Sequence, residues 1–393
     1  MNNTIRQLQG DEMLGTLYSL NSYALHPSPP LQNMDEWMAV VRPRRGICCQ
    51  AMFEDETPVA VVASTPLTQN MRGKLYPTSG IWGVSTAPGA RRRGYCRQLM
   101  SSLLSANREQ GKYFSSLYPF RESFYERLGY ISFPLTKIAH FYTESLAPLL
   151  KMDSSGEIRL QYMSEAYETY RQYLESMRST RHGMAMFDYP DWAHANQNLV
   201  WTASAVFGGD IEGIMLYRTL GKEVTKYTFM ASRFYYQTSR ARYLLLNWIA
   251  HHIDQAEQVE MWLPEDEYPE NWLADVQVKV ETAIRPGMSR VLDVEHIAGM
   301  QVGEGRFSAR ISDPLCPWNE GAWHFESREK ELQVSKAPAA DCELTIQGLS
   351  ALINGTHDPQ DIPLRGWGDP SPAVQLTMQE MFPRMRPFMH EMF

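Results

Sequence analysis

The segment IWGVSTAPGARRRGYCRQLMSSLL, residues 81–104, limits the possible folds of this chain more than any other. A β-rich run leads through a loop with three consecutive arginines, 91–93, into a helical stretch. That stretch has apolar residues on one face, namely Leu99, Met100, Leu103 and Leu104. Strand pairs come before the segment, and alternating strand and helix patterns follow it. The sequence therefore predicts a mixed-sheet α/β domain that ends near residue 145.

The rest of the chain predicts two further domains, because 393 residues exceed one typical core. Residues 146–285 repeat the order of strands and helix found in residues 1–145, without an arginine-glycine loop before the helix. The segment IRPGMSRVLDVE, 284–295, is interpreted as the crossing into a third domain, 286–393. YISFPLTKIAHFYT, 130–143, is predicted to form one strand.

Composition excludes several classes of protein. The 37 basic and 45 acidic residues give a net charge of −8, whereas nucleic-acid binding needs a concentrated basic face. No apolar run approaches the roughly 18 residues of a membrane span, and the first residues show no signal pattern. The scattered cysteines, without C-x-x-C, predict reduced thiols in a cytoplasmic protein. His251 and His252 lack a metal-ligand pattern, and no metal is expected.

The arginine loop has two interpretations. A strand-to-helix turn offers unpaired N–H groups at the positive end of a helix dipole, and Gly94 would let a pyrophosphate approach the backbone closely. Nearby arginines would then add charge-assisted hydrogen bonds to phosphate oxygens. Alternatively, the arginines are simply solvated. The physics favours an anion site, because arginines without an anion are unfavourable at this end of a helix.

The motif RRRGYC resembles the R/Q-x-x-G-x-G/A loop of GNAT acetyltransferases, with Cys96 where that family prefers Gly or Ala. Together, VSTAPGARRRG, SFYERLGY, SDPLCPWNEGAW and an aromatic C-terminus resemble the Eis-like (enhanced intracellular survival) acetyltransferases over nearly the whole chain. The resemblance implies an α/β fold. Two tandem GNAT-type mixed-sheet domains would precede a sterol-carrier-protein-2-like α/β domain.

The resemblance also implies a site for acetyl-CoA as co-substrate. The backbone of Val84 and Thr86 would contact it, and the loop residues Arg91, Arg92, Arg93, Gly94 and Tyr95 would hold its diphosphate. Tyr125 would be the general acid, since a phenol with a pKa of about 10 keeps its proton at neutral pH. By residue type alone, Tyr125 would be a packed aromatic. Tyr130 is predicted to pack in the core.

The general base implied by the resemblance is the C-terminal carboxylate of Phe393, with His390 and Glu391 as alternatives. The apolar, aromatic ending PFMHEMF predicts a docked terminus, because frayed termini are usually polar. The third domain would position Phe393. Its turn with Trp318 and Trp323 is interpreted as structural.

Trp37 and Trp82 are the predicted contacts of the acceptor, and an aromatic pocket with a carboxylate, from Asp35 or Glu36, would suit a cationic amine. RPRRG, 42–46, is interpreted as solvated surface. These observations predict an N-acetyltransferase that acts by direct transfer on an aminoglycoside-, polyamine- or lysine-like amine. A catalytically silent acyl-CoA sensor and a lipid-binding carrier are the alternatives. The resemblance further implies a homo-oligomer, with a hexamer as the candidate state. Because the second domain lacks the arginine-glycine loop, it is not expected to bind CoA as the first does.

Overall fold

The computed structural model describes residues 3–25, 33–153, 155–190, 200–283 and 285–393. They form two compact units. The first unit consists of Met1–Pro134, Arg178–Pro190 and Arg285–Phe393, and the second unit consists of Leu135–Met177 and Asp191–Ile284. The division into three consecutive domains at 145 and 285 stays a prediction. No helix in the described part of the chain is long and apolar enough to cross a membrane.

The strands and helices are numbered along the chain. The strands are β1 (Asn3–Leu8), β2 (Cys48–Glu54), β3 (Thr57–Met71), β4 (Lys74–Thr86), β5 (Phe114–Leu117), β6 (Ile131–Ser132), β7 (Lys137–Tyr142), β8 (Glu157–Tyr162), β9 (Ala185–Phe187), β10 (Trp201–Phe207), β11 (Asp210–Leu220), β12 (Tyr227–Tyr236), β13 (Ala256–Leu263), β14 (Lys279–Thr282), β15 (Met288–Val291), β16 (Arg306–Ser312), β17 (Gly321–Arg328), β18 (Glu331–Lys336) and β19 (Cys342–Thr345). The α-helices are α1 (Gly10–Ala24), α2 (Met34–Val41), α3 (Tyr95–Glu109), α4 (Glu122–Glu126), α5 (Met163–Thr180), α6 (Ser239–Ala250), α7 (Ile346–Asn354), α8 (Asp361–Leu364) and α9 (Pro372–Met381).

The main sheet of the first unit has the order β1-β2-β3-β4-β5-β15-β6, and β9 pairs with β3. β3 and β4 form a long antiparallel hairpin, and α3 connects β4 to the parallel strand β5. A parallel pair needs such a crossover, which explains the strand-loop-helix segment. The predicted apolar face of α3 is buried against this sheet, and α1 and α2 pack against its opposite face.

One expectation about strands was wrong. The segment 130–143 is not one strand: β6 lies in the first unit's sheet, and β7 lies in the sheet of the second unit. Pro134 interrupts the run, since proline has no N–H to donate to a ladder. The segment 284–295, interpreted as the crossing into the third domain, contains β15, which inserts between β5 and β6 and is buried along its length.

The second unit contains a sheet of order β14-β7-β13-β12-β11-β10-β8. Its β10–β11 hairpin leads to β12, then to α6 and the parallel strand β13. The side chain of Thr238 starts α6 by accepting a hydrogen bond from the N–H of Ala241. This order repeats the hairpin, strand, helix and parallel strand of the first unit, which confirms the predicted tandem mixed-sheet fold class.

The C-terminal region of the first unit has a sheet of order β18-β17-β16-β19. Its tryptophan-containing turn is tightly packed: Trp323 is buried and donates to the carbonyl of Asn319, and Trp318 donates to the carbonyl of Leu292. Arg290 of β15 forms a fully buried ion pair with Asp313 at the start of this turn. These contacts agree with the structural role expected for the turn.

Candidate active site

The separation of β4 from β5 creates the central opening of the site. The two strands pair only where Thr78–Ile81 lie opposite Phe114–Leu117, whereas β4 continues to Thr86. Val84 and Thr86 are half-buried in this continuation. Backbone groups on such an edge can bond the amides of an extended ligand.

A bulge shapes the same part of β4. The pairing with β3 shifts between Val61 and Ala63, and Gly83 has a φ of 64°. A Cβ atom on Gly83 would lie 3.0 Å from Nδ2 of Asn21 on α1. Ser85, beyond the bulge, donates a hydrogen bond to the side-chain oxygen of the same Asn21. Helix α1 therefore holds β4 in its bulged course, and a glycine is needed at position 83.

The arginine loop ends in a helix N-terminus that is open to a ligand. Gly94 has a φ of 82° and precedes α3, whose first turn closes with the N–H of Gln98 bonding the carbonyl of Gly94 at 3.1 Å. The preceding N–H groups have no partner within the helix. Around Gly94, the nearest atom to an added Cβ is Nε2 of Gln98 at 3.8 Å, so the backbone is approachable. This is the geometry of an anion site.

The three arginines of the loop have different surroundings. Arg93 forms an ion pair with Glu54 of β2 at 2.5 Å, and the hydroxyl of Tyr95 donates to the same carboxylate at 2.7 Å. Arg91 donates to the carbonyl of Thr86 at 3.3 Å, and Arg92 is exposed with a φ of 63°. Arg91 and Arg92 are thus better placed to meet a phosphate than Arg93, whose charge is compensated.

Tyr125 lies on α4, which begins shortly after β5. It is buried, and its ring makes edge contacts with Phe120, Phe124 and Tyr130. Burial, and then the neighbouring Cys96 and Tyr130, raise its pKa above the usual value. The phenol therefore keeps its proton at neutral pH, as a general acid requires. Tyr130 is fully buried and its hydroxyl lies 2.7 Å from that of Ser115, which agrees with the core role predicted for it.

The C-terminal residue is docked on the face of the sheet opposite α3. The ring of Phe393 packs against Gly80 of β4, and its centroid lies 5.7 Å from that of Tyr118 and 6.4 Å from that of Phe187. Gly80 lies next to the last residue of β4 that pairs with β5. Phe393 therefore lies beside the opening between the two strands.

The final segment, residues 383–393, is called the tail here. Arg72, at the tip of the β3–β4 hairpin, donates to the carbonyls of Leu352, Ile353 and Pro383 at 2.7–2.9 Å. His182 accepts from the N–H of Arg72 at 3.0 Å, and its own carbonyl accepts from the N–H of Phe388 at 2.9 Å. Arg72 and His182 thus connect the hairpin to the tail.

The two predicted acceptor tryptophans lie on the face of α1 and α2. Trp82 donates to the hydroxyl of Thr65 at 2.8 Å, and the ring centroids of Trp37 and Tyr18 are 5.8 Å apart. Both tryptophans pack against the same apolar cluster. Asp35 and Glu36 are exposed at the start of α2, where their N–H groups are capped by the side chain of Asn33.

Arg44 corrects the interpretation of RPRRG as solvated surface. Arg42 and Arg45 are exposed, as expected. Arg44 is half-buried, and its guanidinium lies 5.8 Å from the ring centroid of Trp82 and 5.9 Å from that of Phe187. Sequence reasoning also missed Phe187, since its strand β9 is three residues long and pairs with a distant part of the chain.

Two known protein families match parts of the sequence, and they indicate the reaction for which the loop and the open strand edge are suited. Residues 4–132 match the GNAT acetyltransferase domain, and residues 296–390 match the sterol carrier protein domain. The chain thus carries a GNAT acetyltransferase domain and a sterol carrier protein domain. It is accordingly an acyltransferase. The GNAT fold implies acetyl-CoA as co-substrate, and the open helix N-terminus at Gly94 fits the anionic part of that molecule.

Solved structures show the same fold over the whole length. A GCN5-related N-acetyltransferase from Anabaena variabilis ATCC 29413 has a TM-score of 0.83 and 17% identity, with 99% of this chain and 100% of that chain covered. A conserved protein from Enterococcus faecalis V583, described as a probable N-acyltransferase, has a TM-score of 0.83 and 20% identity, with both chains covered completely. Eis1 from Mycobacterium abscessus has a TM-score of 0.75 and 17% identity, also with complete coverage. Among curated proteins, none matches the sequence significantly.

Proposed function

We propose that this acetyltransferase transfers acetyl from acetyl-CoA directly to a primary amine within a ternary complex. The observation that carries the proposal is the docking of Phe393 against Gly80, beside the opening between β4 and β5. A terminal residue in that position can place its α-carboxylate near the reacting groups, in addition to packing its ring against the sheet. The acceptor class comprises polyamine-, aminoglycoside- and lysine-like amines.

In the proposed mechanism, two groups of this chain move protons. The α-carboxylate of Phe393 removes a proton from the acceptor ammonium, directly or through a water molecule. The amine nitrogen then attacks the thioester carbonyl, and the carbon–sulfur bond breaks. Tyr125 gives its phenolic proton to the thiolate that leaves, since its raised pKa keeps that proton available. Backbone groups of β4 near Val84 and Thr86, with the loop 91–95, hold the co-substrate.

The base can be tested without removing the tail. Free-thiol release from acetyl-CoA is measured across a panel of polyamines, aminoglycosides and lysine peptides. A variant extended by two residues beyond Phe393 displaces the carboxylate, and Phe393→Ala keeps a carboxylate but loses the ring. We expect both to lose turnover, the extended variant more, while binding of acetyl-CoA persists. Unchanged turnover in the extended variant would contradict a terminal base, and His390→Gln and Glu391→Gln would then identify its replacement.

The acid is tested by Tyr125→Phe, which removes only a hydroxyl. We expect kcat to fall about 100-fold, within the range for general acid catalysis, with little change in acetyl-CoA affinity. If the protein were instead a catalytically silent acyl-CoA sensor, the intact protein would show no turnover. It would bind acetyl-CoA and release no thiol with any amine of the panel.

A homo-oligomeric assembly and a cytoplasmic location remain part of the proposal. Measuring the mass of the purified protein in solution tests the first. The second GNAT-type domain has no arginine-glycine loop before its helix, unlike the first. We therefore propose that the second domain is a scaffold and does not bind CoA.

A further inference from the structure

We propose that the acceptor amine of this acetyltransferase also carries an anionic oxygen group, a carboxylate or a phosphate, and that Arg44 binds it. The inference rests on the proposed function and narrows its acceptor class. The sequence predicted an acceptor that is only cationic. The inference is instead that the acceptor carries a cationic amine and an anionic group.

The position of Arg44 carries the first step. Its guanidinium lies over Trp82 and Phe187, and Phe187 in turn lies 6.4 Å from Phe393, centroid to centroid. Trp82 is two residues from Val84 on the strand that adjoins the opening. Arg44 is therefore part of the aromatic site to which the terminal residue docks, on the face of the sheet opposite α3.

The charge of Arg44 carries the second step. Within the described residues, no carboxylate lies within ion-pair distance of its guanidinium, in contrast to other arginines of the same unit. Arg42 pairs with Asp11 at 3.0 Å, Arg93 with Glu54 at 2.5 Å and Arg108 with Asp293 at 2.8 Å. A half-buried cation without a counter-charge is a ready partner for an anion supplied by a ligand.

The geometry of a guanidinium carries the third step. Aromatic rings contact its face, whereas its N–H groups point outward along its edges. Those edges form a fork that matches two oxygens of a carboxylate or phosphate. The backbone also positions Arg44, because its N–H donates to the carbonyl of Val41 at the end of α2 at 3.0 Å. The acceptor would thus be oriented by its anion, with its amine directed to the base.

The test uses three acceptors of matched length: 4-aminobutyrate, its carboxamide and an aminoalkyl phosphate. For the intact protein, we expect the KM of the carboxylate or the phosphate to be at least about 10-fold below that of the neutral carboxamide. The lower of the two values identifies the anion. Arg44→Gln should abolish this difference, and Arg44→Lys should restore part of it, since lysine keeps the charge and loses the fork. Arg45→Gln is the matched control, because Arg45 is an exposed neighbour, and it should keep the difference.

Two outcomes would overturn the proposal. One is equal KM values for the three acceptors in the intact protein. The other is an equal loss of kcat for all three in Arg44→Gln, which would mean that Arg44 acts on the base. Calorimetric binding of 4-aminobutyrate and of the aminoalkyl phosphate to the intact chain and to Arg44→Gln keeps the test independent of turnover. If no amine is acetylated, the proposed function fails. If either ligand binds the intact chain and this binding is lost in Arg44→Gln, the anion site is still supported. If neither ligand binds, or if both bind the two proteins equally, the anion site is contradicted.

Discussion

Gly80 and Phe393 are in direct contact, although 313 positions separate them in the chain. A Cβ atom on Gly80 would lie 2.9 Å from two carbon atoms of the Phe393 ring and 2.7 Å from Cδ1 of Leu67. Any side chain at position 80 would therefore displace the terminal residue, the core residue Leu67 or both. The contact makes the position of the terminal carboxylate depend on the strand that adjoins the opening.

Gly80→Ala should consequently impair the reaction. We expect a fall of kcat of about 10- to 100-fold, because shifting a reacting group by 1 Å has effects of this size, with little change in acetyl-CoA affinity. Steady-state kinetics test this. Gly15→Ala is the control, since nothing lies within 4 Å of the added Cβ there, and it should leave kcat unchanged. Equal kcat for Gly80→Ala and the unsubstituted protein would show that Phe393 need not be held in place.

Arg72→Met should release the tail. Arg72 is buried, and burial lowers its pKa to about 9. Removing its guanidinium leaves three carbonyl groups without their donor, for which we expect a loss of about 2–4 kcal/mol in the free energy of unfolding. Denaturant unfolding measures this loss. Hydrogen exchange should accelerate in residues 383–393, whereas Arg384→Met, which removes one exposed bond to Thr356, should have a much smaller effect.

His182 should make the stability depend on pH. Its pKa is lowered to about 3, mainly by burial and then by the charge of Arg72, against a usual value of 6.5. Between these values the unfolded chain binds a proton that the folded chain does not. The contribution of His182 to stability is thus complete above pH 6.5 and is lost progressively as the pH falls towards 3.

Thermal unfolding of the intact protein and of His182→Gln between pH 4 and 8 measures that contribution. We expect the variant to be less stable at pH 8 and its disadvantage to shrink as the pH falls below about 6.5. A difference between the two proteins that is constant over this range would contradict a neutral, buried His182. Carboxylates that titrate in the same range affect both proteins and cancel in the comparison.

The loop arginines should contribute unequally to acetyl-CoA binding. Arg91→Gln and Arg92→Gln should each raise the Kd about 10- to 150-fold, the cost of one charge-assisted hydrogen bond. Arg93→Gln should raise it less, because Glu54 already compensates Arg93. Acetylated pantetheine, which carries no phosphate, is the control ligand, and its Kd should change little in all three variants. An equal effect of the three substitutions on acetyl-CoA would contradict this ranking.

The sequence predicted those helices, strands and loops whose residue pattern lies within one short segment of the chain. The apolar residues of α3 repeat with the helical period, and the loop 91–94 joins a strand to a helix within a few residues. Both were predicted, and the mixed α/β fold with a GNAT domain and a sterol carrier protein domain is confirmed. β9 and β15 were missed, because each is only three or four residues long and is stabilised by strands from distant parts of the chain.

The candidate site shows the same division. Sequence alone determined the strand, the loop and the helix around Gly94, because bonding within a short segment sets that geometry. Only the tertiary structure decided that the half-buried Arg44 lies over Trp82 and Phe187, and that Phe393 contacts Gly80. Those contacts join segments from the two ends of the chain and from its middle. Packing between segments far apart in sequence creates them, and no local periodicity records it.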